Sequence, residues 1–568
     1  SGPCGYVYVV FVAFTRGGES RMVVARFHDL NNSEGGDTWE YQGTTVLETG
    51  NNATNGYFLD KPHINLDVWR GAGATDQCSH RVYVSYSTFN GLSKDGKVQS
   101  KLNFAKSENG GLSYTTTKIN KNWGQNQGSF IAVDPRPGTP SSQGGPGTIY
   151  VVWRHFFDPD TIIMTRSTNF GSTWSNPVSI IGSTPMAPFD QPTISTEFAN
   201  PDWLSFRSNA FPTAAVSGDG TVFVAWQERV NITPNTDGFG RPQAGGSPRI
   251  VMMRSTNGGG SWSDVNGATG VRSAVDFGNR DLGEVPEPGF GALPDARPSG
   301  PQVMPWLSFG GGRLALVYYE SRGFLGGIDG VGIQHADLSP GTGFISGIDR
   351  LVDFRAALLN PSTGQLLGTT QISRYPISAG ADFGDGVEDV ADIATVLPEL
   401  CAAGGAPEYC QPSLNFMNKP QSGAGGSPFM GDYTGATPAV PFVYDESLAG
   451  WRWATGPEDV PTQAFHTIFA DNRNLIPATD PAGSQEWQRY QFYGPPGIGG
   501  ACYNPGSRNT DVLTARLNAE LIVSTPTTFK QLDARRGFPI RVQNGTADTR
   551  FYRLGITQGF ENASFSVD

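Results

Sequence analysis

The 568-residue chain reads as an all-β, six-bladed β-propeller, and three observations predict it. The first is a phrase written three times at fixed spacing. It runs Ser107, Asn109, Gly111, Ser113, Tyr114, then Ser167, Asn169, Gly171, Thr173, Trp174, then Ser255, Asn257, Gly259, Ser261, Trp262. A worn copy ends in Gly36, Thr38 and Trp39. The second is a pair of short apolar runs upstream of each phrase, repeating once per unit. The third is composition: 74 Gly, 41 Pro, 11% aromatic and only 16% charged residues suit many short strands joined by ordered turns around a large core. A recurring phrase means a recurring supersecondary unit.

Each phrase follows an alternating strand such as 161–165 and precedes an aromatic that opens the next strand. Asn side chains hydrogen-bond nearby backbone and Gly supplies the positive-φ position, so the phrase is a tight turn between two strands. The upstream pairs are 62–66 with 81–86, 130–133 with 148–153, 213–216 with 221–226, and 304–309 with 314–319. A diverged pair joins the segment after Tyr433 to 464–469. The opening run, 6–14, has the pattern of a second strand whose first strand is missing or supplied by the other end of the chain. That makes six units of four strands over 1–515, with a Gly/Pro-rich insertion at about 380–430. Past 520, runs at 521–523, 540–542 and 551–554 predict a small, sandwich-like C-terminal β-module, complete or not.

A net charge of −12 with no basic patch argues against nucleic acid, which needs cations to displace counterions from phosphate. No run of about 18 apolar residues is present to span a membrane. The chain opens inside a strand-like run with no signal peptide, which reads as a processed or trimmed form. Five cysteines are too few for a disulfide scaffold. Cys401 and Cys410 flank a Gly/Ala/Pro loop and are suited to close it, whereas Cys4, Cys78 and Cys502 cannot be paired from sequence. Composition and repeat type favour a secreted protein.

The repeat also aligns the units with one another. In a propeller blade the first strand begins on the face where the second ends, so both positions surround one mouth of the central channel. Two residues beyond the terminal aromatic of the second strands stand His155, Glu228, Glu320 and Asp471, with Arg154, Arg229, Arg322 and Arg473 beside them. Before the first strands stand Asp60 and Lys61 in one unit, Asp432 and Tyr433 in another. These acids and arginines are either inter-blade ion pairs or a site for an anionic sugar, in which guanidiniums grip a carboxylate.

The turn phrases resemble the Asp-box of the sialidase superfamily, with Asn at the usual Asp position, and look closest to secreted bacterial sialidase-like proteins. The resemblance covers about 1–515 as a fold. It implies an arginine triad for the substrate carboxylate, a Tyr nucleophile assisted by Glu, and an Asp as acid/base. Carried onto this chain, the triad would be Arg229, Arg322 and Arg473, the nucleophile Tyr433, its assistant Glu228 or Glu320, and the acid Asp60, with Arg154, His155, Asp471 and Asp432 around the substrate. Arg374-Tyr375 is a rival pair. The family's early aromatic-Arg-Ile-Pro motif is absent from this chain.

The implied function is removal of terminal acidic sugars by a secreted exo-sialidase-type hydrolase acting on an acidic glycan. The alternative is a non-catalytic propeller that binds glycans or other extracellular proteins as part of an assembly. No cofactor or catalytic metal is expected. Asp382, Asp385, Glu388, Asp389 and Asp392 form an acidic cluster that is either a solvated loop or a structural Ca²⁺ site.

Overall fold

Alternation of apolar and polar residues along short runs builds one sheet per repeat unit. The structure is a computed structural model that describes residues 2–188, 209–229, 248–267, 275, 302–321, 352–372, 433–471, 511–518, 521–524 and 541–544, apart from short loop stretches within the first range and position 462. Blade one is β1 (Tyr6–Phe14), β2 (Glu19–His28) and β3 (Glu40–Asn51). Blade two is β4 (Tyr57–Val68), β5 (His80–Leu92), β6 (Val98–Ser107) and β7 (Thr115–Lys118). Blade three is β8 (Gln125–Val133), β9 (Ile149–Phe156), β10 (Thr161–Ser167) and β11 (Val178–Ser179). Blade four is β12 (Thr213–Val216), β13 (Val222–Arg229), β14 (Pro248–Ser255) and β15 (Ser263–Asp264). Blade five is β16 (Gln302–Gly310), β17 (Arg313–Ser321), β18 (Val352–Leu359) and β19 (Leu366–Gln371).

Blade six starts with β20 (Gly435–Pro438), interrupts itself with a hairpin, β21 (Phe442–Asp445) and β22 (Gly450–Trp453), and resumes with β23 (Ala464–Asp471) and β24 (Asp511–Asn518). The C-terminal strands β25 (Leu521–Ser524) and β26 (Arg541–Asn544) add to its outer edge. All pairings are antiparallel, so the chain is an all-β, six-bladed propeller.

The three turn phrases fold alike, because the same side chains satisfy the same backbone. The Ser107 hydroxyl accepts from the Gly111 amide (2.8 Å), and the Asn109 carbonyl oxygen accepts from the Ser113 amide (3.0 Å). Ser167 and Asn169 make these bonds to Gly171 and Thr173, and Ser255 and Asn257 to Gly259 and Ser261. Gly111, Gly171 and Gly259, at the same place in the three turns, have positive φ and leave no room for a side chain. A Cβ on Gly111 would sit 2.6 Å from the Tyr8 ring of the neighbouring blade.

The core is a series of apolar layers between successive sheets. Tyr83 and Phe104 of blade two pack on Ile131, Val151 and Trp153 of blade three. Blades three and four share Ile162, Met164, Val224 and Trp226. Phe223 and Met252 then meet Leu307 and Tyr318, and Tyr319 and Phe354 meet Phe465 and Phe469. Trp153 and Trp226 are almost wholly buried, and such side chains contribute roughly 2–3 kcal/mol each.

Blade one departs from the others. Arg26 of β2 donates to Gly110 O, as Arg166 of β10 donates to Gly258 O, so β2 occupies a third-strand place and β1 a second-strand place. Among the described residues β1 pairs only with β2, and no innermost strand flanks its other edge. The β21–β22 hairpin closes the ring here: Phe442, Trp451 and Trp453 join Tyr8, Val24 and Leu66 in one cluster. A Cys4–Cys78 disulfide ties the start of blade one to blade two. Cys401, Cys410, Cys502 and the acidic cluster at 382–392 lie outside the described residues.

Candidate functional site at the channel mouth

The innermost strands of blades two, three and five start with the same irregularity. Their registers slip between Asp60 and His63, between Gln127 and Phe130, and between Val303 and Trp306. Inside each slip one residue has positive φ: Lys61 (52°), Gly128 (69°) and Met304 (52°). A bulge of this kind re-aims the side chains beside it. Aligning Pro62, Ser129, Pro212, Pro305 and Thr434 places Lys61, Gly128, Phe211, Met304 and Tyr433 at one level of the channel. His63, Phe130, Thr213, Trp306 and Gly435 fall one level deeper. All of these residues border one cavity of about 950 Å³, which β1 also lines through Tyr8 to Val12.

Lys61 dominates the upper level. It is 5% exposed, and its ammonium lies 4.6 Å from the centroid of the Tyr433 ring and 5.6 Å from that of Phe211. Two aromatic faces thus hold one cation in a largely desolvated place, where cation–π attraction reaches about 2 kcal/mol. Gly128 makes room for this box, since a Cβ there would overlap the Phe211 ring. Beside it, Asp60 accepts from the Lys61 amide (2.8 Å) and from Gln127 Nε2 (3.1 Å). Tyr433 stands on the rim, half exposed, and Thr434 Oγ1 anchors the turn by donating to Met304 O (2.9 Å).

The deeper level is an aromatic belt. The His63 ring lies 3.9 Å from Phe130 and 5.5 Å from Trp306, and Phe130 and Trp306 meet edge to face at 4.8 Å. Trp306 is fixed by donation of its indole N–H to Ala436 O (3.0 Å). His63 Nδ1 accepts from the Ile131 amide (3.2 Å), which leaves the ring proton on Nε2. Burial pushes the His63 pKa down to about 3, so the imidazole is neutral. Below the belt a second cavity of about 230 Å³ continues toward Asn65, Phe309 and Trp453.

The structure therefore brings Asp60 and Tyr433 together at one cavity. The described residues beyond the second strands of blades three, four and five are placed elsewhere. Glu228 is buried and accepts from the Ala187 amide (2.8 Å) and from Trp226 Nε1 (3.0 Å). Glu320 is paired with Arg355 at 2.9 Å, both almost fully buried. Arg154 pairs with Asp160 at 3.0 Å and covers the Phe156 ring. His155 donates through Nδ1 to Asn126 Oδ1 (3.0 Å), which also accepts from Trp153 Nε1. Arg229 is half-buried at the end of β13, its amide donating to Ala187 O. None of these borders the cavity. Arg322, Arg473 and Asp432 lie outside the described residues, as does Arg374-Tyr375, and Asp471 is described as backbone only. Among the described residues no group of three or more His, Cys, Asp or Glu side chains is arranged to hold a metal.

The acid–arginine pattern does not single out Phe211, His63 or Trp306, nor Lys61 as a site residue. A second in-register phrase marks them: Lys61-Pro62-His63, Phe211-Pro212-Thr213 and Met304-Pro305-Trp306 put a proline at the same point of three innermost strands.

No protein-family model and no curated protein sequence matches the chain. Among solved structures it is similar to an ulvan lyase, a polysaccharide lyase bound to a glucuronate–sulfated rhamnose unit, at 13% identity over 65% of this chain and 68% of that one (TM-score 0.28). It is similar to an α-L-arabinofuranosidase from Lactobacillus brevis at 11% identity over 56% and 80% (TM-score 0.28). It is similar to Trypanosoma rangeli sialidase at 8% identity over 97% and 86% (TM-score 0.23). Likeness at this level bears on neither substrate nor mechanism.

Proposed function

We propose that the chain is a secreted, carbohydrate-active propeller that receives a terminal acidic sugar of a glycan at its channel mouth. One observation carries the reading: a buried ammonium, Lys61, boxed by the rings of Tyr433 and Phe211 at the wall of a mostly apolar cavity. An anionic sugar is amphipathic in the matching way. Its carboxylate pairs with a cation and its ring faces lie against aromatic surfaces. The Cys4–Cys78 disulfide supports an oxidising, extracellular setting. No helix among the described residues is long and apolar enough to cross a membrane.

In the finer reading the protein is an exo-sialidase-type hydrolase. The Tyr433 hydroxyl oxygen attacks the anomeric carbon as its proton passes to solvent water, the glycosidic bond breaks toward its oxygen, and protonated Asp60 gives its proton to the leaving group. Water then attacks the anomeric carbon and gives one proton to the Asp60 carboxylate, while the tyrosyl–sugar bond breaks toward the phenolic oxygen, which regains its proton from solvent. The competing reading is non-catalytic glycan binding. It is favoured by Asp60 accepting two hydrogen bonds and by the enclosure of Glu228 and Glu320 away from the cavity. Release of fluorophore from a fluorogenic sialoside by the folded protein, lost in Tyr433→Phe, supports the hydrolase. Retained sialoside binding without turnover supports the binding module.

A further inference from the structure

The floor of the cavity carries a donor that neither the acid–arginine pattern nor the hydrolase reading uses. His63 is 9% exposed and wedged between Phe130 and Trp306, yet its ring borders the cavities above and below. The Ile131 amide occupies Nδ1, so the remaining ring nitrogen, Nε2, carries the hydrogen and has no hydrogen-bond partner among the described residues. A donor that opens onto a mostly apolar cavity offers a ligand oxygen a hydrogen bond that is worth more there than in bulk water. Lys61 lies two residues away on the same strand, separated by the bulge that turns both side chains toward the channel.

We propose that His63 is the specificity-determining donor of this site, presenting Nε2–H from the floor to an oxygen of the sugar whose acidic group lies at Lys61. The proposal rests on the acidic-sugar reading given above. A hydroxyl or ring oxygen that reaches the belt gains the bond. An acidic ligand lacking an oxygen at that depth leaves the donor unpaired. Sites built to hydrogen-bond a ligand group discriminate against analogues without it far more sharply than apolar pockets do. The imidazole gives this recognition without adding charge to an apolar floor.

The test is titration calorimetry of N-acetylneuraminic acid and D-glucuronate into the wild-type protein, His63→Phe and His63→Gln. Phe keeps a ring against Phe130 and Trp306 but has no donor. Gln keeps an N–H at a similar reach. We expect about a tenfold weaker Kd for His63→Phe and a Kd within about threefold of wild type for His63→Gln. Unchanged affinity in His63→Phe overturns the proposal. Equal loss in both variants also overturns it, by making His63 a packing residue. A wild-type protein that binds neither acid overturns the acidic-sugar reading itself, and His63 as a sugar donor with it.

Discussion

The ammonium of Lys61 lies 4.6 Å from the centroid of the Tyr433 ring, joining the first strand of blade two to the chain entering blade six. These are the two sheets that flank blade one, where no innermost strand is found among the described residues. Between them β1 lines the cavity through Tyr8 to Val12, and the bulge at Lys61 turns a cation into it. The fold and the site are coupled through this one irregularity.

Gly128 is the steric partner of the box. Its positive φ, and the overlap with Phe211 that any Cβ at this position would meet, allow no larger residue. Gly128→Ala is expected to cost about 1–3 kcal/mol and to displace Phe211 from Lys61, weakening acidic-sugar affinity as well. Urea unfolding and ligand titration on the same sample check both effects.

The turn phrases are stability elements, and none of their residues borders the cavity. Asn109→Ala removes the acceptor for the Ser113 amide and the donor to Ser113 Oγ. The expected loss is about 1–3 kcal/mol in chemical denaturation. Asn169→Ala and Asn257→Ala should lose similar amounts, because their bonds are the same. Sugar binding should be unchanged in all three.

Glu320 and Arg355 form a buried pair between β17 and β18. Arg355→Leu leaves a carboxylate in the core without its guanidinium. The variant is expected to be destabilised by roughly 3–5 kcal/mol. Under the same change a residue acting only on substrate would alter turnover and leave the melting temperature in place.

His63 makes stability depend on pH in a defined direction. Its folded pKa, lowered to about 3 by burial, lies below an unfolded value of about 6.5. Between those values the unfolded chain binds more protons, so stability rises with pH. The contribution is complete above about pH 6.5 and is lost as pH falls toward 3. His80, also lowered chiefly by burial, contributes with the same sign. His63→Phe should therefore flatten, but not abolish, the pH dependence of denaturant unfolding across this window.

The blades were legible because their determinants are local. A Ser-x-Asn-x-Gly phrase closes its own turn, and the apolar runs beside it have few alternatives to pairing as strands. Repetition also supplied the internal alignment that brought Asp60 and Tyr433 to one mouth. The acids and arginines after the second strands were harder to read, because sequence gives their height along the channel but not which way they face. Glu320 and Arg154 lie one strand back from the channel and turn into the protein, where Arg355 and Asp160 satisfy them. Lys61 and His63 owe their orientation to a bulge, which depends on backbone conformation that periodicity does not encode.

The most direct measurement is titration of N-acetylneuraminic acid into the wild-type protein and Lys61→Met, which retains the length and apolar stem of lysine without its charge. The account predicts saturable binding by the wild type and at least about a tenfold loss in a Lys61→Met protein of unchanged fold. Equal affinity in the two proteins, or binding insensitive to the sugar's carboxylate, would contradict it.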